Sequence, residues 1–397
     1  MEPAWVDVPS GSDFPLANLP FGVVRPADGE ATIVVRIGDH VVDLARAGIE
    51  PELTNRTSIN ALMASGRGGS VRERVTELLL GPARQELLHP VDDVTALLPI
   101  EVADYVDFYS SIHHATNLGR LFRPDGEALL PNWRRLPVGY HGRSGSVVVS
   151  GTPVRRPCGL VPDPTTGEPH YVATRALDIE LEVAAVVGYP GANIRPDDAD
   201  RHVFGFVLLN DWSARDIQAY EYQPLGPNLG KSFATTISPW VVTLDALGPF
   251  LVEPPPQDPA VDPYLRATRP WGLDLTLEVW LNGTRVCRTG FADMYWTFAQ
   301  QLAHMTVNGA SARTGDLIGS GTVSGPNEGE RGSLIEMTWR GRDPLTLLDG
   351  SSRTFLEDGD TVTLRGWAGG DGRPRIGFGD ATGTITGSLG ARAPLRG

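Results

Sequence analysis

Hydrophobic and polar positions divide this chain into many short stretches with strand-like periods and few with a helical one. Residues 31–37 and 41–44 are β-branched runs joined by Gly38-Asp39, which predicts two short strands and a tight turn. Helical spacing follows at 58–65 and 71–80, the latter with apolar or small residues on one face. The character changes near Pro99-Ile100, so a small β-rich unit with a helical connection is expected over 1–100 and a second unit over 101–397.

In the second unit strands dominate. Residues 144–150 form a β-branched run that ends in the turn Gly151-Thr152-Pro153, and 176–188 alternate acidic and apolar residues. Residues 203–210 are almost continuously apolar, the pattern of a strand buried on both faces. Residues 273–282 alternate and end in Asn282-Gly283, a hairpin signal. Further strands are expected at 334–339, 361–367 and 383–387, with one long helix at 291–307 and a surface loop at 254–259. No repeat, heptad or low-complexity tract is evident. The predicted fold class is α+β, dominated by β.

Composition sharpens this picture. The 46 glycines and 33 prolines among 397 residues supply the many turns that short strands need. Hydrophobic residues at 41% and charged residues at 21% are the balance of a folded globular chain. A net charge of −14 repels phosphate backbones and anionic lipid heads, so nucleic acid and membrane are not expected partners. No run reaches the roughly 18–20 apolar residues of a membrane span, and the start Met1-Glu2-Pro3-Ala4-Trp5 has no signal-peptide character. Cys158 and Cys287 are expected to be free thiols in a reducing, cytoplasmic setting. The chain has a single lysine, Lys231, against 33 arginines. A compact ammonium differs chemically from a planar guanidinium, which makes that exception a candidate for function.

Three segments could carry chemistry. In Asp178-Ile179-Glu180-Leu181-Glu182-Val183, residues two apart share a face of a strand, so Glu180 and Glu182 project together. Two such carboxylates repel unless a cation lies between them; a water-facing strand is the competing reading. The apolar run then delivers Asp211 to its end, as a ligand or as a helix N-cap. Arg215 and Gln218, three apart, would share a helical face as donors to an oxyanion or as a surface pair. If 107–116 is helical, Asp107 and His114 lie two turns apart on one face, with His113 about 100° away. An imidazole near a metal-bound carboxylate can take a proton from water. The candidate ligands Asp107, Glu180, Glu182 and Asp211 are all carboxylates, with no zinc-type spacing, which selects magnesium, calcium or manganese.

Longer motifs tie these segments together. They are Asp107-Phe108-Tyr109-Ser110-Ser111 with His114-Ala115-Thr116-Asn117, Leu130-Pro131-Asn132-Trp133, and Pro137-Val138-Gly139-Tyr140-His141-Gly142-Arg143. Residues 210–218, Leu225-Gly226-Pro227, Gly230-Lys231-Ser232-Phe233 and Ser238-Pro239-Trp240 continue the series, as do Ser12-Asp13-Phe14-Pro15 and Asn18-Leu19-Pro20 near the start. On these motifs the chain resembles the fumarylacetoacetase family over most of its length.

The resemblance implies a homodimer with an SH3-like N-terminal barrel and a larger β-rich catalytic domain. It implies hydrolysis of the carbon–carbon bond of fumarylacetoacetate to fumarate and acetoacetate, in tyrosine and phenylalanine breakdown. Asp107, Glu180, Glu182 and Asp211 would hold a Mg2+ or Ca2+ ion. His114 would be the base and Glu336 its orienting partner, while Arg215, Gln218 and Lys231 would face the oxyanion. Tyr109, Arg123, Tyr140, Gln218, Tyr222 and Thr322 would line the substrate pocket, and Lys231 and Thr235 would lie around a second, structural magnesium. Two departures stand out: Ile112-His113 replaces a polar pair and sets a second imidazole beside His114, and residues 46–98 match poorly. Two rival readings are a same-fold enzyme acting on acylpyruvates or dienoates, and an inactive metal-binding scaffold. Turnover assays separate all three.

Overall fold

The structure is a computed structural model that describes residues 4–388. Strands far outnumber helices, as the periodicity requires. The N-terminal unit is a curled antiparallel sheet of five strands in the order Leu88–Pro90, His40–Asp43, Thr32–Ile37, Phe21–Pro26, Val94–Leu97. The helix Gly68–Leu80 turns Val71, Val75 and Leu79, each four apart, onto that sheet's core.

A mixed sheet forms the centre of the molecule. Its strands run Gly139–His141, Tyr105–Phe108, Leu317–Gly319, Leu181–Val187, Val203–Asp211, Thr235–Ile237, Val147–Val149, with Val242–Thr243 also on Val203–Asp211. Two of its pairings are parallel, the rest antiparallel. Alternate residues of the Leu181–Val187 strand go to opposite cores. Val183, Ala185 and Val187 pack on a second, six-stranded sheet with Leu277, Val279 and Leu364. Ala184 and Val186 pack towards the N-terminal unit, beside Ile33, Val35 and Val71. A sheet covered on both faces needs no polar side, which is why 203–210 reads as one apolar run. The strand expected there is observed.

Four local expectations are corrected. Residues 334–339 were expected as a strand; instead Leu334–Met337 is a single helical turn, ended by the left-handed residues Trp339 (φ 47) and Arg340 (φ 61). The helix expected at 291–307 covers only Phe298–Thr306, because Thr297 caps it in a reciprocal box with Gln300. Asp107 does not share a helix with His114. It lies on the Tyr105–Phe108 strand, and the helix Ile112–Phe122 starts only after Ser111 caps the His114 amide at 3.2 Å. Finally, Glu180 falls just before the Leu181–Val187 strand, in the link from Leu177–Asp178, and its amide donates to the Asn210 side chain at 3.1 Å. Among the described residues, no helix is long and apolar enough to cross a membrane.

Candidate active site

One end of the central sheet's inner strands gathers four acids. Asp107, Glu180, Glu182 and Asp211 are buried, and one carboxylate oxygen from each lies within 4.8 Å of the others. Three inner strands deliver three of them: Asp107 pairs across to Gly319 on the intervening Leu317–Gly319 strand, and the adjacent Leu181–Val187 and Val203–Asp211 strands carry Glu182 and Asp211. A glycine sits where they meet, in tight quarters. A Cβ on Gly319 would lie 3.0 Å from Glu182 Oε2 and 3.3 Å from Asp107 Oδ1. Gly321, at φ 75, donates its amide to Glu182 Oε2 at 3.0 Å.

Two basic groups partly neutralise this charge. Lys231 Nζ donates to Glu180 Oε2 at 2.5 Å and Asp211 Oδ2 at 2.6 Å. Arg215 Nη1 lies 2.8 Å from Glu180 Oε1 and donates to Gln218 Oε1 at 3.2 Å. Against burial, which pushes Glu180 up, these two cations hold its carboxyl down at about 2. Burial first, and the neighbouring carboxylates next, push Asp107 and Glu182 well above the usual carboxylate range. Asp107 Oδ1 and Glu182 Oε1 are buried without any hydrogen-bond partner. Orphaned carboxylate oxygens facing one point are costly unless a cation takes them, and an all-oxygen donor set suits a hard divalent ion. The residues fit such a cation.

Next to the acids stands a histidine–carboxylate pair. His114 Nδ1 is 2.6 Å from Glu336 Oε2, with both side chains buried. Glu336 also accepts from Asn117 Nδ2 at 3.0 Å, Ser324 Oγ at 3.0 Å and Ser333 Oγ at 2.7 Å. His114 and these donors outweigh burial and hold Glu336 at about 2. The Tyr109 ring stands edge-on to the His114 imidazole at 5.3 Å. His113 is half-buried on another side of the helix.

The other expected residues divide into two groups. Tyr140 donates to Asp211 Oδ2 at 3.0 Å, Thr235 to Asp211 Oδ1 at 3.4 Å, and Thr322 is buried with its hydroxyl unpartnered. Arg123 and Tyr222 stay apart from the cluster. Arg123 is exposed and bonds the carbonyls of Glu127 and Ala128, and Tyr222 is 48% exposed.

Both halves of the chain match family models. Residues 105–386 match "Fumarylacetoacetate (FAA) hydrolase C-terminal" and residues 17–99 match "Fumarylacetoacetase N-terminal". The chain belongs to the fumarylacetoacetase family. A fumarylacetoacetase of Caenorhabditis elegans is 45% identical, the alignment covering 96% of this chain and 98% of that one. The Homo sapiens fumarylacetoacetase is 44% identical over 97% and 99%. The N-terminal match includes all of 46–98, where the sequence motifs had carried no likeness. A fumarylacetoacetate hydrolase structure from Exiguobacterium antarcticum shares the fold, with TM-score 0.57 and 19% identity over 93% of this chain and 99% of that one. A maleylpyruvate hydrolase from Sphingobium does so at TM-score 0.54 and 16% identity, covering 92% and 100%.

Sequence reasoning had not singled out the cradle around Glu336. Ser333-Leu334-Ile335-Glu336 has the S-x-x-E spacing that opens helices, a signal that would have turned the expected strand into a helical turn. Asn117 lies three residues after His114, on the same helical face. Ser324 carries no such signal.

Proposed function

We propose that this enzyme hydrolyses a carbon–carbon bond of a 1,3-diketo acid, with fumarylacetoacetate as substrate and fumarate and acetoacetate as products. The pairing of a buried His114–Glu336 dyad with a four-carboxylate cluster that has orphaned oxygens carries this reading. The near-full-length likeness to curated fumarylacetoacetases supports the choice of substrate.

Asp107, Glu180, Glu182 and Asp211 would hold the divalent ion, Mg2+ or Ca2+. Bound there, it supplies Lewis-acid polarisation of the diketone and charge neutralisation for the departing enolate. Glu336 holds His114 by Nδ1, which leaves Nε2 to take a proton from water. The hydroxide equivalent adds to the carbonyl carbon and makes a tetrahedral oxyanion. Arg215, Gln218 and Lys231 are its donors; each such donor contributes typically ~3–4 kcal/mol to the transition state. Two protons of the Lys231 ammonium serve Glu180 and Asp211, and a third remains. The carbon–carbon bond then breaks, its electron pair stays with the acetoacetate fragment, and a proton completes that product.

Tyr109, Tyr140, Gln218 and Thr322 would contact substrate, and Arg123 and Tyr222 would reach it from the rim. Lys231 and Thr235 would border a second magnesium. The chemistry would reside in residues 101–397, with 1–100 as an SH3-like N-terminal domain with a helical connection. The enzyme would work as a cytoplasmic homodimer; the free thiols Cys158 and Cys287 suit a reducing compartment. Loss of diketone absorbance, followed with fumarylacetoacetate and with acylpyruvates, tests the reading. Faster turnover of fumarylacetoacetate supports it, and turnover of acylpyruvates alone overturns the substrate assignment.

A further inference from the structure

A carboxylate outside the metal cluster joins the two halves of the site. Asp178 is fully buried and accepts four hydrogen bonds. Its Oδ1 takes the amides of Ile179 and Leu334, each at 2.7 Å, and its Oδ2 takes the Ile335 amide at 3.0 Å and Arg215 Nε at 2.8 Å. Leu334 and Ile335 open the helical turn that carries Glu336. Arg215 begins the helix Arg215–Glu221, and Leu177–Asp178 pairs with Ser213–Ala214 just before it.

Those contacts constrain both partners. Guanidinium nitrogens lie in one plane, so a carboxylate at Nε and another at Nη1 fix the direction of the third nitrogen. In Arg215 that third nitrogen, Nη2, is buried without a partner. The other pair of Asp178 bonds fixes the first two amides of a one-turn helix, which is too short to hold itself. Glu336 sits two residues after Leu334, so the turn's position sets where the His114 partner lies.

The geometry points to Asp178 as a positioning residue that couples the aim of Arg215 to the seating of Glu336. A single carboxylate thereby registers the oxyanion donor against the base. Asp178 touches neither substrate nor ion in this role; it acts through Arg215 and Glu336, and it rests on the catalytic reading given above.

In the cation-loaded full chain, Asp178→Asn should lower kcat about 10²-fold with KM within about threefold, because misaimed groups slow chemistry more than binding. Losses should be shared. Combined with Arg215→Ala, or with Glu336→Gln, the variant should be at least about tenfold faster than the product of the single losses. Wild-type kcat in folded Asp178→Asn overturns the proposal, and multiplicative losses in either pairing overturn the link through that residue. Should the variant fail to fold, the unaltered enzyme labelled with 15N-arginine still provides a test. The Arg215 Nε–H resonance, assigned by its loss in Arg215→Lys, should exchange with solvent slowly; rapid exchange contradicts the buried Asp178 contact. That resonance is indifferent to which diketo acid is cleaved, so a wrong substrate and a wrong role for Asp178 give different results.

Discussion

His114 and Glu336 lie 222 positions apart in the chain, yet their Nδ1 and Oε2 atoms are 2.6 Å apart with both side chains buried. The contact joins the helix Ile112–Phe122 to the turn Leu334–Met337, and three further donors hold the carboxylate in place. Removing the charge while keeping the shape, in Glu336→Gln, should lower kcat by about 10²–10⁴-fold with the fold retained. His114→Ala should lose at least as much, and the double variant little more. Stopped-flow loss of diketone absorbance measures all three. Wild-type turnover in His114→Ala would transfer the role of base to His113.

The only lysine should resist replacement by the residue used everywhere else. Lys231 bridges Glu180 and Asp211 at 2.5 and 2.6 Å with its side chain 6% exposed. Lys231→Met leaves those carboxylates without their nearest cation, and breaking a buried pair in this way costs about 3–5 kcal/mol. Lys231→Arg supplies charge but not a compact head, so activity should still fall by at least about tenfold. Thermal melts and turnover check both; a Lys231→Arg enzyme with native kcat contradicts the need for an ammonium.

How much of this was legible depended on the length of each pattern. The strand Val203–Asp211 was readable because residues 203–210 carry an almost continuous apolar signal, and its end marked Asp211 as a ligand or a helix N-cap. Glu180 and Glu182 were readable as a pair, although the strand begins only at Leu181. The turn Leu334–Met337 was missed, because four apolar-rich residues fit either period and the deciding contacts come from Asp178, 156 and 157 positions away. Glu336 entered through family resemblance, and Ser324 could not be found from local sequence at all. Long-range side-chain contacts leave no periodic trace.

Cation binding should raise thermal stability. Without an ion, Asp107 and Glu182 keep orphaned oxygens in a buried site. A ligand bound only by the folded state stabilises by about 2.7 kcal/mol at a hundredfold excess over Kd. Scanning calorimetry of chelator-treated protein, with and without Mg2+ or Ca2+, should show an upward shift in Tm. The shift should disappear in Asp107→Asn. An unchanged Tm at saturating cation argues against a preformed site.

Gly319 should matter for the ion rather than for the fold. In Gly319→Ala the new methyl would press on Glu182 Oε2 at 3.0 Å, on the Tyr105 ring at 3.2 Å and on Asp107 Oδ1 at 3.3 Å. Disturbing the surroundings of metal ligands typically weakens affinity by ~10–100-fold. Calorimetric titration should show that loss while circular dichroism stays native; an unaltered Kd would mean that the neighbours give way freely.

Metal-free wild type and Glu182→Gln, titrated with Mg2+ or Ca2+ while fumarylacetoacetate cleavage is recorded in the same samples, put the whole arrangement to its most direct trial. Wild type should gain turnover in step with filling of the carboxylate site, and the variant should lose both tight binding and turnover. Cleavage at full rate by metal-free protein, or tight binding and native turnover in Glu182→Gln, would contradict a carboxylate-held cation beside the His114–Glu336 base.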